Sequence, residues 1–203
     1  MGIIKRAGDL VYTFRFLRLL TTKFEDTEAF KLGIIDKDGK RLKSYDLKDM
    51  DNRSNYKEYY TPFHRLVFNI KKLLAKAPGG DTRLASYAAA LYLLKENFGV
   101  NEGNIKKGLQ KLNIDITDIL GEGSTWFLLE DQRLSPGYYR IKHDKVLSES
   151  LDEIARRKDS ILVQEDAYPV GSIFGLNIYE AVHKNTKKKI HITIDELLAG
   201  HKK

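Results

Sequence analysis

The chain has 203 residues, 42% hydrophobic and 31% charged, with a formal net charge of +7 and no cysteine. That is enough for one large domain or two small ones with real cores; it argues against wholesale disorder and excludes disulfides, thiolate zinc sites and cysteine nucleophiles. The surplus charge is uneven: residues 1–121 hold 22 Lys and Arg against 15 Asp and Glu, whereas residues 122–203 hold 13 against 13, an asymmetry that points to an anionic partner for the first part.

Ile3, Ile4, Ala7, Leu10, Val11, Phe14 and Leu17 recur at helical spacing and predict an amphipathic helix over residues 3–21, with Arg6, Arg15 and Arg18 on its other face. Docking on the core is expected; the alternative is a helix that inserts into a partner or lies on a membrane surface. Lys5-Arg6 before an apolar run imitates a signal peptide, but Asp9, Arg15 and Arg18 interrupt the run and no small-residue cleavage site follows. No stretch approaches the roughly 18 apolar residues of a spanning helix. A soluble, unprocessed chain without a membrane partner, made in a reducing compartment, is the expectation.

Asp38-Gly39 between Ile34-Ile35 and Leu42 predicts a hairpin turn near 31–42. It resembles the start of a calcium loop, but Lys40 occupies a ligand position and no Glu stands at the twelfth. Ser44–Tyr60 is polar, Tyr-rich and expected to be a surface loop. Thr61-Pro62 opens the clearest helix, buried through Phe63, Leu66, Val67, Ile70, Leu73, Leu74 and Ala77 and stopped by Pro78-Gly79-Gly80. Asp81 or Thr82 then caps a second helix, which runs to Gly99 and pairs antiparallel with the first. A weaker helix is expected over Asn104–Leu112, and a short turn at Thr117–Leu120.

Beyond a boundary near Gly121–Ser124 the pattern turns to strands: Trp126–Leu129, Tyr138–Ile141, Ile161–Val163, Ile173–Val182 and Ile190–Ile194. Ser150 and Glu153 form a capping box for a short helix through Arg157. The fold class is therefore α+β: a mainly helical, basic part (1–121) followed by a small strand-rich module (122–203) resembling a partly closed barrel.

The helix after Thr61 contains no acid before Gly80. Arg65, Asn69, Lys72 and Lys76 fall on one face opposite its apolar stripe, with Lys71 beside them. Neighbouring like charges on a helix repel by about 0.2–0.5 kcal/mol per pair, so an outward face of this kind suits nucleic acid or an acidic protein. The competing reading is a solvated face balanced by acids elsewhere, such as Asp46, Asp49 and Asp51. Lys76–Arg83 places two glycines and flanking cations at a helix start, where free amides can cradle phosphate, but it lacks the P-loop spacing. Lys184–Lys189 carries four cations, among them Lys187 and Lys188; these suit phosphate contact or protection of a sheet edge equally well. The candidate anion-binding residues are thus Arg65, Lys71, Lys72, Lys76, Arg83, Lys187 and Lys188. Tyr56, Tyr59 and Tyr60 precede the basic helix and either stack on bases or cover an apolar flank.

Ala88-Ala89-Ala90 and the helices near Ile105–Leu120 suggest a helix-turn-helix, but the second member is too short to read a groove. With Lys184–Lys188 as a hairpin loop, His183 and His191 are expected on one sheet face, without further ligands for a metal. Glu130-Asp131 and Glu165-Asp166 read as turn exits. Neither Gly-x-Ser-x-Gly nor His-Glu-x-x-His occurs. No catalytic residue, metal or cofactor is expected.

Ala29–Lys40, Thr61–Leu74 and Tyr168–Gly175 resemble segments of proteins encoded by tailed bacteriophages. The resemblance implies a virion or assembly component made in the bacterial host cytoplasm; its expected partners are other viral proteins or DNA or RNA, with a homo-oligomer left open. The alternative is a nucleic-acid-binding accessory protein of phage replication or transcription. No functional residue carries over from the resemblance.

Overall fold

The computed structural model describes residues 2–76, 83–114, 116 and 128–199. Helices come first and strands second, so the chain is α+β. Helix α1 (Gly2–Thr21) buries Phe16 and Leu20 against α4 (Pro62–Lys76) and α6 (Glu102–Gln110). Gly108 explains the close approach of α1 to α6: a Cβ there would meet Leu17 Cδ2 and Phe16 Cε1 at 3.0 Å. A residue that weakens helix propensity is the one that lets the two helices touch.

A short α2 (Glu28–Lys31) leads into the expected hairpin, closed by Asp36 N–H donating to Lys40 O at 2.8 Å. Asp36 Oδ1 accepts from the amides of Asp38 (2.9 Å) and Lys40 (2.8 Å), so this carboxylate serves the turn itself. Ser44–Tyr60 is not a loop throughout. Met50–Tyr59 forms helix α3, started by Asp49, whose side chain accepts from Asn52 N–H at 2.9 Å. With no buried residue, α3 leaves no hydrophobic period to read, and its cap was the available signal.

At the start of α4, Thr61 Oγ1 accepts from His64 N–H at 3.4 Å, with Pro62 at the first helical position. Helix α5 (Arg83–Phe98) is buried at Leu84 and at every residue from Ser86 to Leu94. One side packs on α4 and the other on the strands, and one continuous core joins α4 and α5 to Val146, Leu151, Ile173 and Ile178. The Ala88–Ala90 run allows this two-sided burial. Asn101 caps α6, which starts two residues earlier than expected. The link at 77–82, Thr117–Leu120, the boundary near Gly121–Ser124, and His201 lie outside the described residues.

The strands are β1 (Gly137–Ile141), β2 (Lys145–Val146), β3 (Ile154–Ala155), β4 (Ser160–Val163), β5 (Pro169–Ile173), β6 (Leu176–His183), β7 (Lys189–Ile192) and β8 (Leu197–Ala199). All pairings are antiparallel. β8, β1, β4 and β6 are neighbours in that order; β5 continues beside β4 along one edge of β6, and β7 pairs with its other edge. Among the described residues, hydrogen bonding does not close this sheet into a barrel. It has a core of its own, made by Tyr139, Ile141, Ile161, Val163, Tyr179, Ala181, Ile190, Ile192 and Leu197 with neighbouring loop residues.

Three local expectations are corrected. The Ser150–Glu153 box starts no helix: Leu151 has φ +58°, and Ile154–Ala155 pairs with β2 instead. The run Ile173–Val182 is two strands, because Phe174 (φ +47°) and Gly175 (φ +80°) make a two-residue turn. Of the expected strand at 126–129, Leu128 makes a single bridge to Leu134, and Trp126 and Phe127 are not among the described residues.

Candidate functional site: a basic rim on the strand-rich part

The face of α4 that carries its cations is half-buried against the rest of the chain, with Lys76 at its exposed end. Arg65 pairs with Asp152 at 3.2 Å, and Asn69, 2% exposed, donates Nδ2–H to Leu151 O at 2.6 Å. Lys72 Nζ donates to Gly39 O at 3.4 Å, and Lys76 pairs with Asp144 at 3.5 Å. Lys71 donates to Thr22 O and stands 4.2 Å from the centroid of the Phe24 ring. The acids that balance this helix are therefore Asp144 and Asp152 of the second part, whereas Asp46 and Asp49 serve local amides. The face expected to meet an external anion instead seats the helical part on the strand-rich part. Proximity in sequence gave no sign of this, because partners 68 and 87 residues away supply the carboxylates.

Burial pushes the ammonium groups of both Lys71 and Lys72 down to about 8, so the fold disfavours their charged forms. Lys72→Met should therefore leave the urea midpoint at pH 7 unchanged or higher. A loss of more than about 1 kcal/mol would instead make the bond to Gly39 O a net stabiliser. The tyrosines before α4 cover an apolar flank: Tyr60 is buried beside Phe68, with its hydroxyl pushed up to about 12, and Tyr56 stacks between Tyr45 and Tyr60.

Exposed cations gather elsewhere. The β3–β4 turn carries Arg156, Arg157 and Lys158, and the β6–β7 turn carries Lys184 and Lys187, with Lys188 half-buried beside them. Two bonds hold the turns side by side: Lys184 N–H donates to Ser160 O at 2.9 Å, and His183 Nε2 lies 3.1 Å from Asp159 Oδ2. Arg140 stands across from Ser160 on β1, and Lys184 Nζ lies 5.4 Å from the centroid of the exposed Tyr138 ring.

The acids within this rim are already committed. Asp144 accepts from Arg157 N–H and pairs with Arg156 and Lys76; burial raises its carboxyl, but these contacts outweigh it and hold it below its ordinary value. Asp159 caps Arg156 N–H, and Glu153 pairs with Lys188. Among the described residues, Arg140, Arg157, Lys158, Lys184 and Lys187 are exposed and make no ion pair. Of the seven residues expected from sequence to bind an anion, Lys187 alone belongs to this unpaired set, Lys188 is neutralised beside it, and the side chain of Arg83 is outside the described residues. The rim sits on the part whose formal charge is balanced, because turn chemistry gathers its cations at one end.

The two sheet histidines lie on opposite faces. His183 turns toward Asp159 and Thr186, with Nδ1 2.9 Å from Thr186 Oγ1, while His191 meets the Tyr92 ring and Ser148. Their pairing offsets differ by an odd number of residues, which reverses the side of a pleated strand. No cluster of three metal-ligating side chains occurs among the described residues, and none of their helices is long and apolar enough to cross a membrane.

A concavity of about 280 Å³ opens between α1 and the end of α3, lined by Arg15, Arg18, Asp26, Glu58 and His64 among others. Burial, with Arg15 nearby, pushes the His64 imidazole down to about 4. The unfolded ring binds its proton near 6.5 and the folded ring does not, so this group lowers stability as pH falls from 6.5 to 4, by up to about 3 kcal/mol. Urea titrations of His64→Phe should lack that part of the acid slope; an unchanged slope would place the effect elsewhere.

Comparison with protein-family models, with curated proteins and with solved structures finds no match to this chain.

Proposed function

We propose that the protein is a non-catalytic bacteriophage virion or assembly component that docks onto a negatively charged viral partner through the basic rim of its strand-rich part. The observation that carries this reading is the set Arg140, Arg157, Lys158, Lys184 and Lys187, gathered by two adjacent turns and left without ion pairs among the described residues. The resemblance of Ala29–Lys40, Thr61–Leu74 and Tyr168–Gly175 to phage proteins supplies the context of particle assembly in the host cytoplasm. Unlike Lys71 and Lys72 of α4, the rim cations lose little hydration to the fold, since they are exposed.

The second reading, a phage accessory protein that binds nucleic acid, is favoured by one feature. Tyr138 is 56% exposed beside Lys184, offering a ring for a base next to a cation for its phosphate. Fluorescence anisotropy tests both readings, with labelled single-stranded DNA, RNA, duplex DNA and polyglutamate as probes over a range of salt. Lys158→Glu with Lys184→Glu should weaken binding of the preferred probe by about tenfold or more, and Lys72→Met should not. Binding that is indifferent to the rim reversal removes the proposal. Preference for nucleic acid over polyglutamate, with loss on Tyr138→Ala, selects the second reading.

A further inference from the structure

The strand-rich part carries opposite charge at its two ends. β4 runs from the basic β3–β4 turn at Ser160 to Val163, and the turn that follows exposes Glu165 and Asp166. The loop before β1 comes to this same end: Leu134 N–H donates to Ala167 O at 2.9 Å, and Arg133 Nη1 donates to Glu165 O at 3.1 Å. That loop adds exposed Glu130 and Asp131. Asp131 is held by Arg133 at 3.4 Å and Tyr168 Oη at 3.0 Å, whereas Glu130, Glu165 and Asp166 make no ion pair among the described residues. Four strand residues at about 3.3 Å each, plus the depth of two turns, separate the ends.

Each end also exposes apolar surface. Leu129, Tyr168 and Val170 are 37%, 50% and 47% exposed near the acidic end, and Tyr138 and Leu198 are 56% and 40% exposed beside the cations. An apolar centre with a charged surround is the usual composition of a protein–protein contact.

We infer that the partner of the basic rim is the acidic end of a second copy of this chain, giving a head-to-tail assembly. The inference rests on the proposed docking role of the rim and names its occupant. A positive end repels its own image, so a two-fold dimer through either end is disfavoured. A positive end against a negative end is heterologous, and such a contact repeats until it closes as a ring or extends as a filament. Complementary charge accelerates the encounter and fixes its polarity, and ionic strength weakens it.

Sedimentation velocity of the full chain at low and high salt, with two charge-reversed variants, tests this. The rim variant is Arg157→Glu/Lys158→Glu/Lys184→Glu, and the acidic-end variant is Glu130→Lys/Glu165→Lys/Asp166→Lys. The chain itself should form species larger than a dimer at low salt and lose them at high salt. Each variant alone should be monomeric with an unchanged circular dichroism spectrum. Their mixture should regain complexes, since the rim of one then meets the unaltered acidic end of the other. Restoration on mixing does not follow if the variants merely misfold.

A chain that stays monomeric at low salt overturns the inference, as do variants that assemble like the parent or a mixture that stays monomeric. Anisotropy separates that failure from failure of the docking role. A monomeric chain whose rim still captures polyglutamate or nucleic acid keeps the role and loses the second copy as occupant; one that captures neither loses both.

Discussion

Glu196→Gln is expected to destabilise the fold by about 3–5 kcal/mol, lowering Tm by roughly 10 °C. Lys145 is 1% exposed and Glu196 is fully buried; the two form an ion pair that ties β2 to the 3-10 turn ahead of β8. The other carboxylate oxygen of Glu196 accepts from Thr193 N–H at 2.9 Å and Thr193 Oγ1 at 3.1 Å, closing a capping box. Glutamine can keep that cap, but it leaves a buried ammonium without a counter-charge. Burial already pushes the Lys145 ammonium below its ordinary value despite Glu196, and without the carboxylate it falls further.

The sign of the pH dependence follows. Between the lowered folded value and the ordinary unfolded value, the unfolded chain binds more protons, so the variant should gain stability as pH rises. Adding Lys145→Met removes the orphaned charge and should recover most of the loss at pH 7. Urea unfolding of the two single variants and the double variant decides the matter. A single-variant loss below about 1 kcal/mol would show that water or another group replaces the carboxylate.

Gly39→Ala should cost about 3 kcal/mol, for two separable reasons. Gly39 has φ +72°, a conformation that costs a side-chain-bearing residue about 1–2 kcal/mol. A Cβ at this position would also enter the Phe24 ring, which packs edge-on to Phe68 with centroids 5.6 Å apart and carries the Lys71 ammonium on its face. Displacing the ring disturbs the cluster of Ala29, Ile34, Ile35, Tyr60 and Phe68 around it. In the Phe24→Ala background the same glycine change should cost only its backbone share. A double-mutant cycle with no coupling between positions 24 and 39 would refute the steric part of this account.

Much of the helical part was readable along the chain. The apolar face of α4, its Thr-Pro start and the Asp-Gly hairpin rest on interactions within a few residues, and each forms near its expected place. Helix α3 escaped notice because it buries nothing, and the strand at Ile154–Ala155 because a capping-box pattern mimicked a helix start. Phe174 concealed a turn, being an unusual residue at positive φ. These misses share one cause: local propensity is a weak preference, and pairing with a distant strand or docking on a neighbouring element overrides it.

Composition and local pattern by themselves determined the α+β class, the helices-then-strands order and the excess of cations over acids. The tertiary structure alone decided which cations remain available. Arg65 and Lys76 find carboxylates in the second part, Lys71 and Lys72 find carbonyl oxygens, and a set of unpaired cations is brought together where two turns of a formally neutral segment meet. The reason is physical: Coulombic pairing acts over a few ångströms of space, and chain folding sets those distances with little regard to sequence separation. A count of charge along the chain reports the total, whereas the field at any surface depends on which opposite charges the fold has placed beside it.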